Sequence, residues 1–257
     1  MFLIKTNTMQ ILIACAKLMD TTGVPALKFA TKPTFEREAL HNAAQLSQYS
    51  VDELQQMLKV NRAIAVENHL RYQNFIVESA RRPAGLIYDG MVFKKLDLAS
   101  FTESELLYAN DHLNICSFLY GLLRPLDNIN PYRLEGNVEL PENGGITMTD
   151  YWQPILTDYL IAKVKADDGI LVNLASEEMK SLFDWKKVSS ELTVVSPEFK
   201  VDKNGKLRTI VIYAKMCRGA MSRYILKNRI TDIDLLSSFT YDGFRLIESK
   251  PRLLYAL

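Results

Sequence analysis

Three apolar runs in this chain end in polar side chains suited to holding an anion. In ILIACAKLMD (11–20) Lys17 follows the run; in LVNLASEE (171–178) Asn173 and Ser176 follow it; in IVIYAKMCRG (210–219) Lys215 and Arg218 stand just before Gly219. The carboxyl ends of strands in α/β sheets gather ligands, and free amides at a helix start attract negative charge. The third run belongs to VIYAKMCRGAMSRYILKNRI (211–230), where Lys215, Arg218, Arg223, Lys227 and Arg229 occur without an acid. A cation in a first helical turn is opposed by the macrodipole, and a bound anion would remove that opposition. Met221, Tyr224 and Ile225 fall at helical spacing and read as core, whereas Arg223 and Lys227 lie on another face. Lys227 and Arg229 read as ordinary surface. A fourth segment, LYGLLRPLDNINPYRLEG (119–136), sets Arg124 and Asp127 close enough to bridge each other, and offers Tyr132 and Arg133 as cleft-lining groups for bases or phosphates.

The elements that must position these groups alternate without a regular period. QILIA (10–14) and GILVNLAS (169–176) read as buried strands, GLIYD (85–89) as another, and HLNICSFLYGLL (112–123) as β-compatible throughout. Ser50 with Glu53 and Thr102 with Glu105 make capping-box signatures, a helix is predicted from Asn61 until Pro83, and Thr149 or Asp150 is expected to cap a helix reaching Ala166. Residues 192–201 and 206–214, joined through Asn204-Gly205, read as a hairpin, followed by helices over 219–228 and about 232–238. The reading is an α/β (mixed α+β) fold: one domain over 1–257, with a mixed sheet flanked by helices.

Composition narrows the function classes. With 31 basic and 30 acidic residues the net charge is +1, so phosphate binding requires a local patch rather than a basic coat. No phosphate-loop, dinucleotide-binding, zinc-protease or nucleophile-elbow motif is present, and the three histidines are scattered. The expectation is no metal, no cofactor and no membrane partner. The opening stretch lacks the apolar core and cleavage pattern of a signal peptide, and three separated cysteines suit reduced thiols, so the chain reads as cytoplasmic.

Taken together, Ala16-Lys17, LYGLLRPLD (119–127), PYRLE (131–135), Tyr151-Trp152, NLASEE (173–178) and YAKMCRGAMSRYI (213–225) resemble the peroxide-stress protein YaaA family over nearly the whole chain. The resemblance implies a cytoplasmic bacterial protein that limits oxidative damage under hydrogen peroxide, partly by keeping free iron low. It also implies DNA binding through a positively charged cleft and a helix-hairpin-helix-like element, placed around Phe118 to Leu126. This chain departs from the family pattern at Ala14-Cys15, where Ser-Pro is usual, at Met179 in place of tyrosine, and at Met216-Cys217 in place of Lys-Ala. Cys15 and Cys217 lie near cations in sequence, yet buried inert thiols are favoured over a peroxide-sensing pair. Two readings follow. In one, Lys17, Arg124, Tyr132, Arg133, Asn173, Ser176, Lys215, Arg218 and Arg223 bind DNA without chemistry. In the other, a nucleotide, nucleobase or other small anion occupies the Lys17/Asn173/Ser176/Lys215/Arg218 cleft of an enzyme or degenerate enzyme, with Lys17 and Lys215 as the reactive groups. The pattern leans against an enzyme, and direct iron sequestration has little ligand support.

Overall fold

The computed structural model describes residues 8–76, 81–249 and 252–257. In chain order its elements begin β1 (Gln10–Ala14), α1 (Glu36–Leu46), α2 (Val51–Leu58), α3 (Arg62–Gln73), β2 (Arg82–Pro83), α4 (Ala84–Ile87), α5 (Met91–Leu96), α6 (Glu103–His112), β3 (Leu113–Ser117), β4 (Gly121–Leu123) and β5 (Asn128–Ile129). They continue with α7 (Met148–Ala166), β6 (Ile170–Asn173), α8 (Glu177–Lys180), α9 (Trp185–Glu191), β7 (Thr193–Val195), β8 (Glu198–Lys203), β9 (Lys206–Arg208), α10 (Val211–Asn228), β10 (Arg245–Glu248) and β11 (Leu254–Ala256).

Among the described residues the strands form three sheets. The central one runs β4-β3-β1-β6-β7, parallel except for the β4 edge; the others run β10-β11-β8-β9 and β2-β5. This is the expected mixed α/β architecture, and among the described residues no helix is long and apolar enough to cross a membrane. Ile11, Leu12 and Ile13 of β1 are wholly buried, which stabilises the sheet centre by roughly 1.5–3 kcal/mol per side chain. The chain leaves β1 toward β3 on one side and leaves β6 toward β7 on the other. The strand order therefore reverses between β1 and β6, and a crevice opens at their carboxyl ends.

Both capping boxes form as predicted: the Ser50 and Thr102 side chains accept from the Glu53 and Glu105 amides, and each glutamate accepts from its cap residue's own amide. Asn61 caps α3 as expected, but that helix ends at Gln73, and residues 77–80 of the predicted span lie outside those described. The α7 cap is Thr147 rather than Thr149 or Asp150, because its hydroxyl reaches the Asp150 amide at 3.1 Å. GLIYD does not form a strand: Ala84–Ile87 make one helical turn, with the Ala84 and Gly85 amides bonded to the Asp127 and Pro125 carbonyls. Residues 112–123 split into β3 and β4 around a turn fixed by Ser117 and by Gly121 at φ +70°. No helix-hairpin-helix element therefore occupies Phe118 to Leu126. The Asn204-Gly205 turn is present with both residues at positive φ, but its second arm ends at Arg208, and β-branched TIVIY passes into α10 instead. The first arm is cut at Pro197, which sends β7 and β8 to different sheets.

Lys163 of α7 crosses to the sheet, where its Nζ donates to Asn114 Oδ1 at 2.6 Å. Burial, aided by the Arg124 charge, lowers this lysine from 10.5 to about 8. Between about pH 8 and pH 10.5 the unfolded chain binds more protons at this site than the folded one, so its contribution to stability rises with pH. Urea unfolding of wild type and Lys163→Met across that interval should show the gap moving in favour of wild type. A gap that does not change with pH would refute the assignment.

Candidate functional site

The crevice between β1 and β6 is a cavity of about 500 Å³, within the range of small-molecule sites. Residues 14–18 at the end of β1 and beyond it, Leu174 and Ser176 after β6, α5, the 132–135 segment and α10 contribute its walls. Its interior is largely apolar, with Phe93, Phe118, Tyr132, Leu134 and Met179 buried against it. On α10, Val211, Lys215 and Arg218 lie at i, i+4 and i+7 and present one face to the cavity.

That face exists because α10 begins at Val211, eight residues earlier than predicted. Lys215 and Arg218 sit in its second turn rather than at a strand-to-helix junction, so the macrodipole does not oppose them as expected. Gly219 lets α10 approach α5: a Cβ built there would lie 2.1 Å from the Val92 carbonyl oxygen. The approach brings the cations of α10 opposite the cavity wall formed by Met91 to Phe93.

Charge in the cavity is mixed. Four cations (Lys17, Arg133, Lys215 and Arg218) meet three acids (Asp89, Glu135 and Glu178), so the lining is not simply basic. Glu135 binds two of the cations, accepting from Lys17 Nζ at 2.8 Å and from Arg133 Nη2 at 3.1 Å. Asp89 pairs with Lys94 at 2.8 Å. Among the described residues Arg218 has no hydrogen bond or ion pair from its guanidinium; burial pulls it below its ordinary pKa, with Glu177 opposing. A half-buried guanidinium without a partner is the lining group most in need of an anion.

The other sequence candidates divide. Lys17, Tyr132, Arg133, Ser176, Lys215 and Arg218 all line the cavity. Asn173 does not: its side chain donates to Ser196 Oγ and accepts from the Ala175 amide, shaping the loop after β6. Arg124 is taken up by Asp127, the bridge its spacing allowed, and lies outside the cavity. Arg223 donates to the Leu96 and Asp97 carbonyls at the end of α5 and stacks over Phe101. Lys227 and Arg229 are not ordinary surface. Lys227 covers Phe101 and pairs with Glu105 at 2.7 Å, while Arg229 covers Tyr108, so the distal cations fasten α10 to α6. Glu135 was not among the residues singled out from the sequence, although it stands two residues from Arg133, with which it pairs.

The surroundings of Cys15 and Cys217 disfavour the thiolate. Cys15 is pushed up to about 12 by burial and then by the Glu178 carboxylate; Cys217 also reaches about 12, through burial and then Asp242. Both hold their protons at neutral pH, as inert thiols do.

Comparison with known proteins matches residues 9–250 to the family model described as peroxide stress protein YaaA. A UPF0246 protein of Bacteroides fragilis is 54% identical over 241 residues, covering 93% of this chain and 94% of its own. One of Bacteroides thetaiotaomicron is 52% identical over 242 residues, covering 94% of each, and one of Clostridium beijerinckii is 35% identical over 243 residues, covering 93% of each. A match spanning β1 to β10, and hence every wall of the cavity, makes this chain a member of the peroxide stress protein YaaA family.

Proposed function

We propose that this protein serves the peroxide-stress role of its family through a pocket for a small anion with a flat apolar body, such as a nucleotide or nucleobase. The observation that carries the reading is the Arg218 guanidinium, without a hydrogen bond or ion pair among the described residues, beside Lys215 at the edge of a largely apolar cavity of about 500 Å³ at the strand-order reversal. The apolar walls would cover a ring, Arg218 and Lys215 would neutralise an acidic group, and the Lys17–Glu135 pair would open or stay as the guest requires.

DNA binding is the second reading, and one feature favours it. Lys203, Lys206 and Arg208 are exposed on the β8–β9 hairpin, which runs into the helix bearing Lys215 and Arg218. Limitation of iron-dependent damage would follow from either reading as an indirect effect.

Calorimetric titration with AMP and GMP, beside a duplex titration at several salt concentrations, separates the readings. Saturable mononucleotide binding that weakens about tenfold or more in Arg218→Met is expected. Failure of every mononucleotide to bind, with duplex affinity that falls steeply with salt, would replace the first reading by the second.

A further inference from the structure

Ser117, Tyr88 and Tyr132 form a buried hydroxyl chain behind the cavity. Ser117 Oγ accepts from the Leu119 amide at 3.2 Å and the Tyr120 amide at 2.9 Å. Those two bonds fill its lone pairs, so its own hydrogen goes to the Tyr132 hydroxyl 2.6 Å away. The Tyr88 hydroxyl is buried 2.7 Å from the Tyr132 oxygen. The nearby Ser117 oxygen is already filled, and the Tyr132 oxygen is open to the Tyr88 proton. A buried hydroxyl left without an acceptor would cost about 1–3 kcal/mol. In the arrangement in which Tyr132 accepts from both hydroxyls, its own hydrogen points away from them. The Cys15 thiol lies close to the Tyr132 hydroxyl, and both residues line the cavity.

A neutral thiol is a weak acceptor, so Tyr132 offers a polarised and nearly unspent donor to whatever enters. We infer that Tyr132 is a ligand-binding residue that donates to a carbonyl or oxyanion oxygen of the pocket's guest, with Ser117 and Tyr88 as its positioning residues. The guest would carry an oxo-substituted or phenolate-like ring at the Tyr132 end and its acidic group at the Lys215–Arg218 end. Preorganised donors in an apolar site hold such oxygens far better than water does. This inference rests on the small-anion reading of the cavity.

The test uses 4-nitrophenolate, a flat anion whose absorption band moves to the blue when its oxygen accepts a strong hydrogen bond. Wild type is expected to bind it with such a shift. Tyr132→Phe should bind about tenfold or more weakly and lose the shift. Tyr88→Phe, which keeps Tyr132 and its ring packing, should give a smaller loss in both readouts. Arg218→Met should weaken binding yet retain the shift in the bound fraction. Unchanged affinity and shift in both tyrosine variants, with loss in Arg218→Met, would overturn the role of Tyr132 and leave the pocket standing. Absence of binding to wild type would overturn the pocket reading and this inference together.

Discussion

Gly219→Ala should lower the melting temperature by roughly 4–8 °C, although alanine is the better helix former. Two effects of opposite sign compete. Alanine gains about 1 kcal/mol in an α-helix interior over glycine. Its Cβ would meet the Val92 carbonyl oxygen at 2.1 Å and Lys95 Cβ at 2.9 Å, and the backbone atom cannot rotate aside. Forcing an extra methyl into such a contact costs about 3 kcal/mol, so the net loss is about 2 kcal/mol. Because α5 and α10 both wall the cavity, the variant should also bind the pocket's guest more weakly than its stability loss alone would imply. Calorimetric melting checks the first effect, and a variant as stable as wild type would show that the two helices do not touch so closely.

Arg124→Met should destabilise by about 3–5 kcal/mol, the cost of leaving a buried charge without its partner. Asp127 is wholly buried. Its carboxylate accepts from the Arg124 amide at 2.7 Å, from Arg124 Nη2 at 2.9 Å and from Thr31 Oγ1 at 2.7 Å. Arg124 Nη2 also donates to the Lys32 carbonyl at 2.9 Å, so one guanidinium ties the loop before α1 to the β4–β5 turn. Methionine keeps the stem and removes the charge. Arg124→Met combined with Asp127→Leu should recover part of the loss, because removing both partners leaves no uncompensated carboxylate. Urea unfolding of the single and double variants provides the cycle. A loss below about 1 kcal/mol in the single variant would reduce the clamp to an ordinary surface pair.

What could be read from the sequence follows from how local its cause is. Ser50–Glu53 and Thr102–Glu105 were legible because a capping box is settled within four residues. Asn204-Gly205 was legible because its turn needs positive φ. The strands β1 and β6 announced themselves as short apolar runs, and Lys17 and Ser176 were found through their position after them. The start of α10 was hidden because its β-branched opening favours a strand, and packing of α10 against α5, tight at Gly219, overrides that preference. Arg223 could not be told from Arg218 by composition: five residues of helix carry one to the cavity and the other to the carbonyls ending α5. Tyr88 and Ser117 were invisible as partners of Tyr132 because the pairing spans 44 and 15 residues.

The placement of β1 at the middle of the central sheet also sets an order of events during synthesis. Its first partner begins at Leu113, and its second pairs Gln10 with Leu171. At ribosomal rates of about 5–20 residues per second, β1 waits roughly 8–32 s after emerging before its second neighbour exists. Through that interval an apolar QILIA segment has at least one open edge, the kind of surface that recruits other chains. Loop closure over such separations makes folding slow, so the nascent chain exposes this edge long before its pocket can form.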